Sequence, residues 1–152
     1  MHVVAINPAE DGDLAGRLLA IQRAAYGVEA SLIGDDRIPP LHEDADELLA
    51  APLNWLGAFD KSSCLIGAVA WVEQADEVDI DRLVVDPMAH RRGVGRELVR
   101  SVLSRAGSCR TTVSTGRRNL PARTLYLSLG FVQMEDTEVE TGLWITHFAR
   151  VP

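Results

Sequence analysis

The stretch Leu83-Val84-Val85-Asp86-Pro87-Met88-Ala89-His90-Arg91-Arg92-Gly93-Val94-Gly95-Arg96-Glu97-Leu98 constrains this chain more than any other. It reads as a strand, a turn, a basic glycine-bearing loop and the opening of a helix. Two glycines let backbone approach a ligand closely, and the first N–H groups of a helix have no partner within it. The positive end of the helix dipole favours an anion at the same point. Arg91, Arg92 and Arg96 add charge and forked donors. The segment therefore predicts a phosphate-bearing ligand.

Two familiar nucleotide motifs do not fit. The dinucleotide fingerprint needs a third glycine, but Gly93-Val94-Gly95 is followed by Arg96-Glu97-Leu98. The P-loop needs Gly-Lys-Ser/Thr, and the chain's single lysine is Lys61. His90-Arg91-Arg92-Gly93-Val94-Gly95, behind a Val-Asp-Pro lead-in, instead resembles the Gln/Arg-x-x-Gly-x-Gly/Ala motif of the GNAT acyltransferases. His90 departs from the usual first residue. A second block, Asn119 to Phe131, resembles that family's other motif in its Asn119, Ala122, Tyr126 and closing Leu129-Gly130-Phe131. The resemblance covers nearly the whole chain.

Composition fits a single domain over residues 1–152, large enough for its own core. Charged residues are 24% and hydrophobic residues 47%. No apolar run reaches a membrane span. Met1 to Pro8 lacks the basic start and apolar core of a signal peptide, so a cytoplasmic location and no membrane partner are expected. Cys64 and Cys109 have no metal spacing, no metal is expected, and both are read as small residues at strand starts.

Charge is uneven. Residues 1–81 carry a net −12, residues 82–123 a net +8 from ten arginines against Asp86 and Glu97, and the chain totals −7. The division suggests a polyanionic ligand on the basic belt and a cationic one near the acids. The belt would also suit nucleic acid, but no helix-turn-helix, zinc or RNP pattern accompanies it, and no nucleic acid is expected.

Periodicity places a strand at residues 2–6 and a helix from Asp11 to Ala25, with Leu14, Leu18, Ile21 and Ala25 inward. Residues 26–40 read as a loop with one helical turn at most. A short acidic helix follows from Leu41 to Ala50. Strands Trp55–Phe59 and Leu65–Val72 flank a turn at Asp60-Lys61-Ser62-Ser63, and Val78–Val85 is the next strand. Arg92–Ala106 is a helix, Arg110–Ser114 a strand, Pro121–Leu129 a helix, and Phe131–Met134 and Leu143–Phe148 closing strands.

The resemblance implies an α+β, three-layer fold: a central mixed, mostly antiparallel twisted sheet with a splayed strand pair and helices on both faces. The strands ending at Val85 and near Val113 would splay, and backbone at Leu83, Val84 and Val85 would pair with a pantetheine arm. The resemblance also implies acetyl-CoA as cosubstrate and acetyl transfer to a nucleophile, usually an amine. Amides of Arg91, Arg92, Gly93, Val94, Gly95 and Arg96, next to His90, would hold the diphosphate, with the guanidinium of Arg91 or Arg92 on outer phosphates. A backbone N–H at Val84 or nearby would face the developing oxyanion.

Tyr126 matches the family's tyrosine and would protonate the departing thiolate; packing on a helix face is its other reading. Asn119 would cap its helix and touch the ligand. Asp79 and Asp81 alternate with Ile80 and share a face, and Asp79 lies eleven residues before His90, the spacing of a general base in a histone-acetylating branch of the family. Either acts as base or only holds a cationic substrate, and Glu77 is a third candidate. His147 is expected to face solvent. Glu29, Asp35, Asp36, Glu43, Asp44 and Asp46 favour a basic acceptor such as a polyamine, an aminoglycoside or a peptide amine. Other readings stay open: another acyl-CoA, a hydroxyl acceptor, a non-catalytic acyl-CoA sensor, and a homodimer through the last strands.

Overall fold

Leu65 to Trp71 is the most apolar run of the chain, and every one of its residues is buried. Only a strand covered on both faces accounts for such a run. It forms most of β3 (Leu65–Gln74) in a seven-stranded sheet. The computed structural model describes residues 1–152. The other strands are β1 (His2–Ile6), β2 (Asn54–Phe59), β4 (Glu77–Val85), β5 (Arg110–Gly116), β6 (Val132–Glu140) and β7 (Leu143–Arg150), in the order β1-β2-β3-β4-β5-β7-β6. Every pairing is antiparallel except β4 with β5. The helices are α1 (Gly12–Ile33), α2 (Ala45–Ala50), α3 (Val94–Ala106) and α4 (Leu120–Ser128).

Two cores show the layers. Leu98, Val99 and Val102 of α3, Tyr126 of α4 and Phe148 of β7 pack with Val69, Trp71, Val78 and Ile80 on one side of the sheet. Leu18 and Ile21 of α1 and Leu48 of α2 pack with Trp55, Ala68, Ala70 and Val84 on the other. Each such aliphatic side chain contributes about 1.5–3 kcal/mol relative to exposure. Helices thus cover both faces, as the sequence predicts. No helix is long and apolar enough to cross a membrane.

The β4–β5 ladder is short. It runs from Glu77↔Arg110 to Ile80↔Val113 and stops. Beyond it, β4 stays with β3 and β5 stays with β7, so the parallel pair opens at one end. The register of β4 against β3 also jumps there, from Ile80↔Trp71 to Arg82↔Ala70, leaving Asp81 as the extra residue of a bulge.

Three sequence expectations need correction. Residues 26–33 are helix, because α1 continues unbroken to Ile33 and ends at Gly34, which takes the left-handed conformation at φ 68°. The apolar period fades after Ala25 because Val28, Glu29 and Leu32 line a cleft, which Tyr26 also lines while packing against the α1-side core. Leu41–Ala50 divides into a 3-10 turn at Pro39–His42 and α2, where Asp44 and Glu47 form a capping box. β6 runs on to Glu140, with all nine residues exposed; its ladder to β7 defines it, and hydrophobic periodicity has little to report on such an edge.

Gly67 of β3 seats the start of α3. A Cβ there would lie 2.8 Å from Val94 Cγ1 and 3.1 Å from the Val84 carbonyl oxygen. Gly67→Ala should therefore lose about 1–3 kcal/mol of stability. Chemical denaturation measures the loss, and an unchanged midpoint would contradict this packing.

Candidate active site

β4 ends at Val85, and the chain turns at once. The Asp86 carboxylate accepts the Met88 N–H at 2.9 Å, opening a 3-10 turn at Pro87–Ala89. Arg17 Nη2 lies 2.6 Å from Asp86 Oδ2 and ties α1 to the turn. The Met88 amide, then Arg17, hold the Asp86 carboxyl below the usual carboxylate range. The loop that follows is bent by two left-handed residues, Arg91 at φ 65° and Gly93 at φ 75°. Gly93 begins α3 without a side-chain cap. The first helical bond is Glu97 N–H to the Gly93 carbonyl at 3.1 Å, and none of the backbone N–H groups from Arg91 to Arg96 has a hydrogen-bond partner. A run of open donors at the positive end of a helix is an anion cradle.

The cradle opens into a cleft of about 620 Å³. Its walls are Leu83 and Val85 of β4, the loop with His90, Arg91, Gly93, Gly95 and Arg96, the start of α4 at Asn119, Ala122 and Leu125, and the second half of α1. Gly95 has Leu83, Leu125 and Val85 side chains at 3.5–3.7 Å from where a Cβ would stand. Its missing side chain widens the cleft where backbone must meet a ligand. Asn119 Oδ1 accepts the Ala122 N–H at 3.3 Å, so it caps α4 and also lines the cleft. Val84 turns its side chain into the α1-side core, leaving only its backbone for the opening. Val94 is a core residue, likewise usable through its amide.

Tyr126 is 4% exposed and rests against Phe131 and Phe148, with ring centroids 5.6 and 5.8 Å away. Its hydroxyl has no hydrogen-bond partner, yet its oxygen is not among sealed, unsatisfied polar atoms, of which there are none. The phenol therefore reaches open space. Burial first, then the charge of Glu29, push its pKa up, so it keeps its proton at every working pH.

The two candidate bases differ. Asp79 is half-buried and accepts the Thr112 hydroxyl at 2.7 Å. Burial raises its pKa, the Thr112 bond opposes that, and Asp81 and Glu77 add to the rise. Asp81 is exposed on the bulge with Oδ2 2.6 Å from Arg82 Nε, an ion pair that occupies one of its oxygens. His147 is half-buried, not free in solvent: Ser114 Oγ lies 2.7 Å from Nδ1 and Thr137 Oγ1 2.9 Å from Nε2. Cys64 is exposed and Cys109 half-buried.

The basic belt disperses on folding. Arg91 and Arg96 line the cleft, and Arg96 also donates to Ser128 Oγ at 2.9 Å. Arg92 opens instead beside Met1 and the Asp60–Ser62 turn. Arg82 is buried against Glu43 and Gln22, Arg110 pairs with Glu77, and Arg117 stacks on Trp144 at 4.8 Å. Tyr26 and Glu29 also line the cleft, though the sequence assigns no role to Tyr26 and names Glu29 only as one of six acids. Their i, i+3 spacing on one helix face was the available signal.

The raised Asp79 pKa has a consequence for stability. Its carboxyl binds a proton more tightly folded than unfolded, so ionisation destabilises the native state at neutral pH and this cost disappears as pH falls below the usual carboxylate range. Asp79→Asn should melt higher than the parent at pH 7, and the gap should close on acidification. Melting curves across pH check this; a gap independent of pH would contradict it.

Comparison with known proteins places these features. Residues 43–151 match the sequence model of the family described as an acetyltransferase (GNAT) domain, so β1 and α1 precede the match. UPF0157 protein YqkA of Bacillus subtilis (strain 168) is 32% identical over 144 residues, covering 94% of this chain and 42% of that protein. The chain thus spans less than half the length of that curated relative. Among solved structures, PaiA N-acetyltransferase from Thermoplasma acidophilum in complex with coenzyme A superposes with a TM-score of 0.74 at 19% identity, with 100% of both chains covered. An aminoglycoside 6'-N-acetyltransferase complexed with coenzyme A gives 0.76 at 15%, covering 99% of this chain and 97% of that one. The ribosomal-protein-S18-alanine N-acetyltransferase of Escherichia coli gives 0.76 at 16%, covering 99% and 92%. At these identities the structural likeness speaks for the fold, and the match over residues 43–151 carries the assignment: the chain belongs to the GNAT acetyltransferase family.

Proposed function

We propose that this protein transfers the acetyl group of acetyl-CoA directly to a primary amine of a small molecule or peptide. The observation that carries the reading is the unpartnered run of amides from Arg91 to Arg96 at the head of a cleft lined by Leu83 and Val85, which lie past the last β4–β5 rung. A diphosphate fits the cradle, and an amide-bearing arm fits strand backbone that has lost its neighbour. Two of the solved relatives above were determined with coenzyme A, in keeping with this.

Acetyl-CoA supplies an activated acyl group. The chain's own residues supply the rest. Amides of Arg91 to Arg96, with Arg91, His90 and Asn119 beside them, hold the phosphate end, and Leu83, Val84 and Val85 align the arm. A backbone N–H on β4 past the last rung stabilises negative charge on the thioester oxygen. The Tyr126 phenol donates a proton to the departing sulfur. Burial makes the phenol a weaker acid, but it makes a neighbouring thiolate a stronger base by the same means. Asp79, with an elevated pKa and one oxygen bound by Thr112, is the better placed of the carboxylates to take the amine's proton.

Calorimetry with coenzyme A and a thiol-release assay over polyamines, aminoglycosides and peptide amines test the reading together. No heat and no thiol release from folded protein would overturn it. Gly93→Val, which forces a branched side chain to φ 75°, should abolish measurable coenzyme A binding while leaving the protein folded by circular dichroism. Tyr126→Phe and Asp79→Ala should each lower kcat by roughly 10²-fold or more with the acetyl-CoA KM little changed. If Asp79→Ala moved only the amine KM, Asp79 would be a binding group and not the base.

A further inference from the structure

We propose that the Glu29 carboxylate receives the acceptor's ammonium group at the mouth of the β4–β5 opening, so that the site selects amines carrying positive charge. The inference rests on the N-acetyltransferase reading above and assigns the acceptor side of it.

Glu29 is half-buried on α1 and lines the cleft. Its Oε1 accepts the Thr115 hydroxyl at 3.1 Å and the Gly116 N–H at 3.3 Å. Thr115 and Gly116 are the β5 residues that follow Val113, where the ladder to β4 ends. The carboxylate is therefore fixed in the opening itself, not on the outer surface of α1. Gly116 permits this approach: a Cβ there would stand 2.9 Å from Ile33 Cγ2 and 3.4 Å from Glu29 Oε1.

The same carboxylate lacks a cation. No arginine or lysine pairs with Glu29, and its Oε2 has no partner. The two guanidiniums of the cleft, on Arg91 and Arg96, belong to the phosphate loop at its other end. A carboxylate in the cleft held by neutral donors alone keeps its charge and one oxygen open to a bound ammonium.

A second observation points to the same place. The Tyr126 phenol, 4% exposed and without a hydrogen-bond partner, feels Glu29 as its one charged neighbour. Tyr26, one turn before Glu29, lines the same cleft, and burial first, then the Glu29 charge, push its phenol pKa up. Tyr26 and Glu29, one turn apart on α1, thus share the wall of the cleft that leads to the opening. An acceptor docked on Glu29 through its ammonium is held in the opening, and an uncharged or acidic acceptor gains nothing there.

Glu29→Gln separates the roles, because the amide oxygen still accepts from Thr115 and Gly116 while the charge is gone. With the panel amine that the parent protein turns over fastest, the variant's amine KM should rise roughly 10- to 100-fold, the loss of one charge-assisted bond. The acetyl-CoA KM and the melting temperature should stay where they are, and Glu29→Asp should recover part of the loss. An unchanged amine KM would overturn the proposal and leave Glu29 as a tie between α1 and β5. So would a variant that merely melts lower and weakens both substrates equally. A parent protein that binds coenzyme A but acetylates no amine overturns the N-acetyltransferase reading, and the inference falls with it.

Discussion

Past Ile80 and Val113, two parallel strands stop sharing hydrogen bonds, and the rest of the site depends on that break. Backbone groups inside a protein need partners, so an opened ladder is stable only where solvent, ligand or another element supplies them. Here β5 is held by β7 through Gly116, and β4 by β3 through Val85. The bulge at Asp81 marks the change of direction. Glu29 reaches across from α1 to occupy the Gly116 amide, while α3 and α4 close the other side. Each strand of the opening thus keeps one paired edge and frees the other.

The loop before α3 carries the second departure from ordinary backbone geometry. Arg91 takes a left-handed conformation, which costs about 1–3 kcal/mol for a residue with a side chain, and the amides after it are left open. Asp86, with its bonds to Met88 and Arg17, and the close seat of Val94 on Gly67 over-determine the turn from both ends. Strain and open donors at one spot, firmly anchored on each side, are the usual mark of a binding site and not of a loose connection.

Charge on the α1 side is organised around a buried arginine. Arg82, 7% exposed, lies 2.7 Å from Glu43, 2.6 Å from Asp81 and 3.0 Å from Gln22, and its guanidinium sits 5.9 Å from the Trp55 ring. Gln22 in turn donates to the Pro40 carbonyl and to Glu43. This network clamps the segment before α2 onto α1 and β4. It also sorts the acids: Glu43 and Asp81 are engaged by Arg82, whereas Asp79 and Glu29 are bound only by neutral donors and keep one oxygen without a partner.

Local sequence was enough for the loop and for most of the elements. The glycine-bearing loop before α3, the Asn119 cap before Pro121 and the strand from Leu65 are each dictated by residues within a few positions of one another, so pattern reading finds them. Residues 26–33 escaped because their side chains serve a cleft and so lack the period that a core imposes. The acid-rich end of β6 escaped because ladder bonds, not burial, define it. Whether ten arginines formed one belt was beyond any reading of composition: folding sends Arg82 inward, spends Arg110 and Arg117 on neighbours and leaves Arg91 and Arg96 at the cleft. By itself the sequence determined a glycine-bearing turn at a helix start and the kind of fold that presents it. Only the tertiary structure decided which carboxylates stay free, because that depends on partners such as Arg82 and Glu43, or Thr115 and Glu29, that meet from distant parts of the chain.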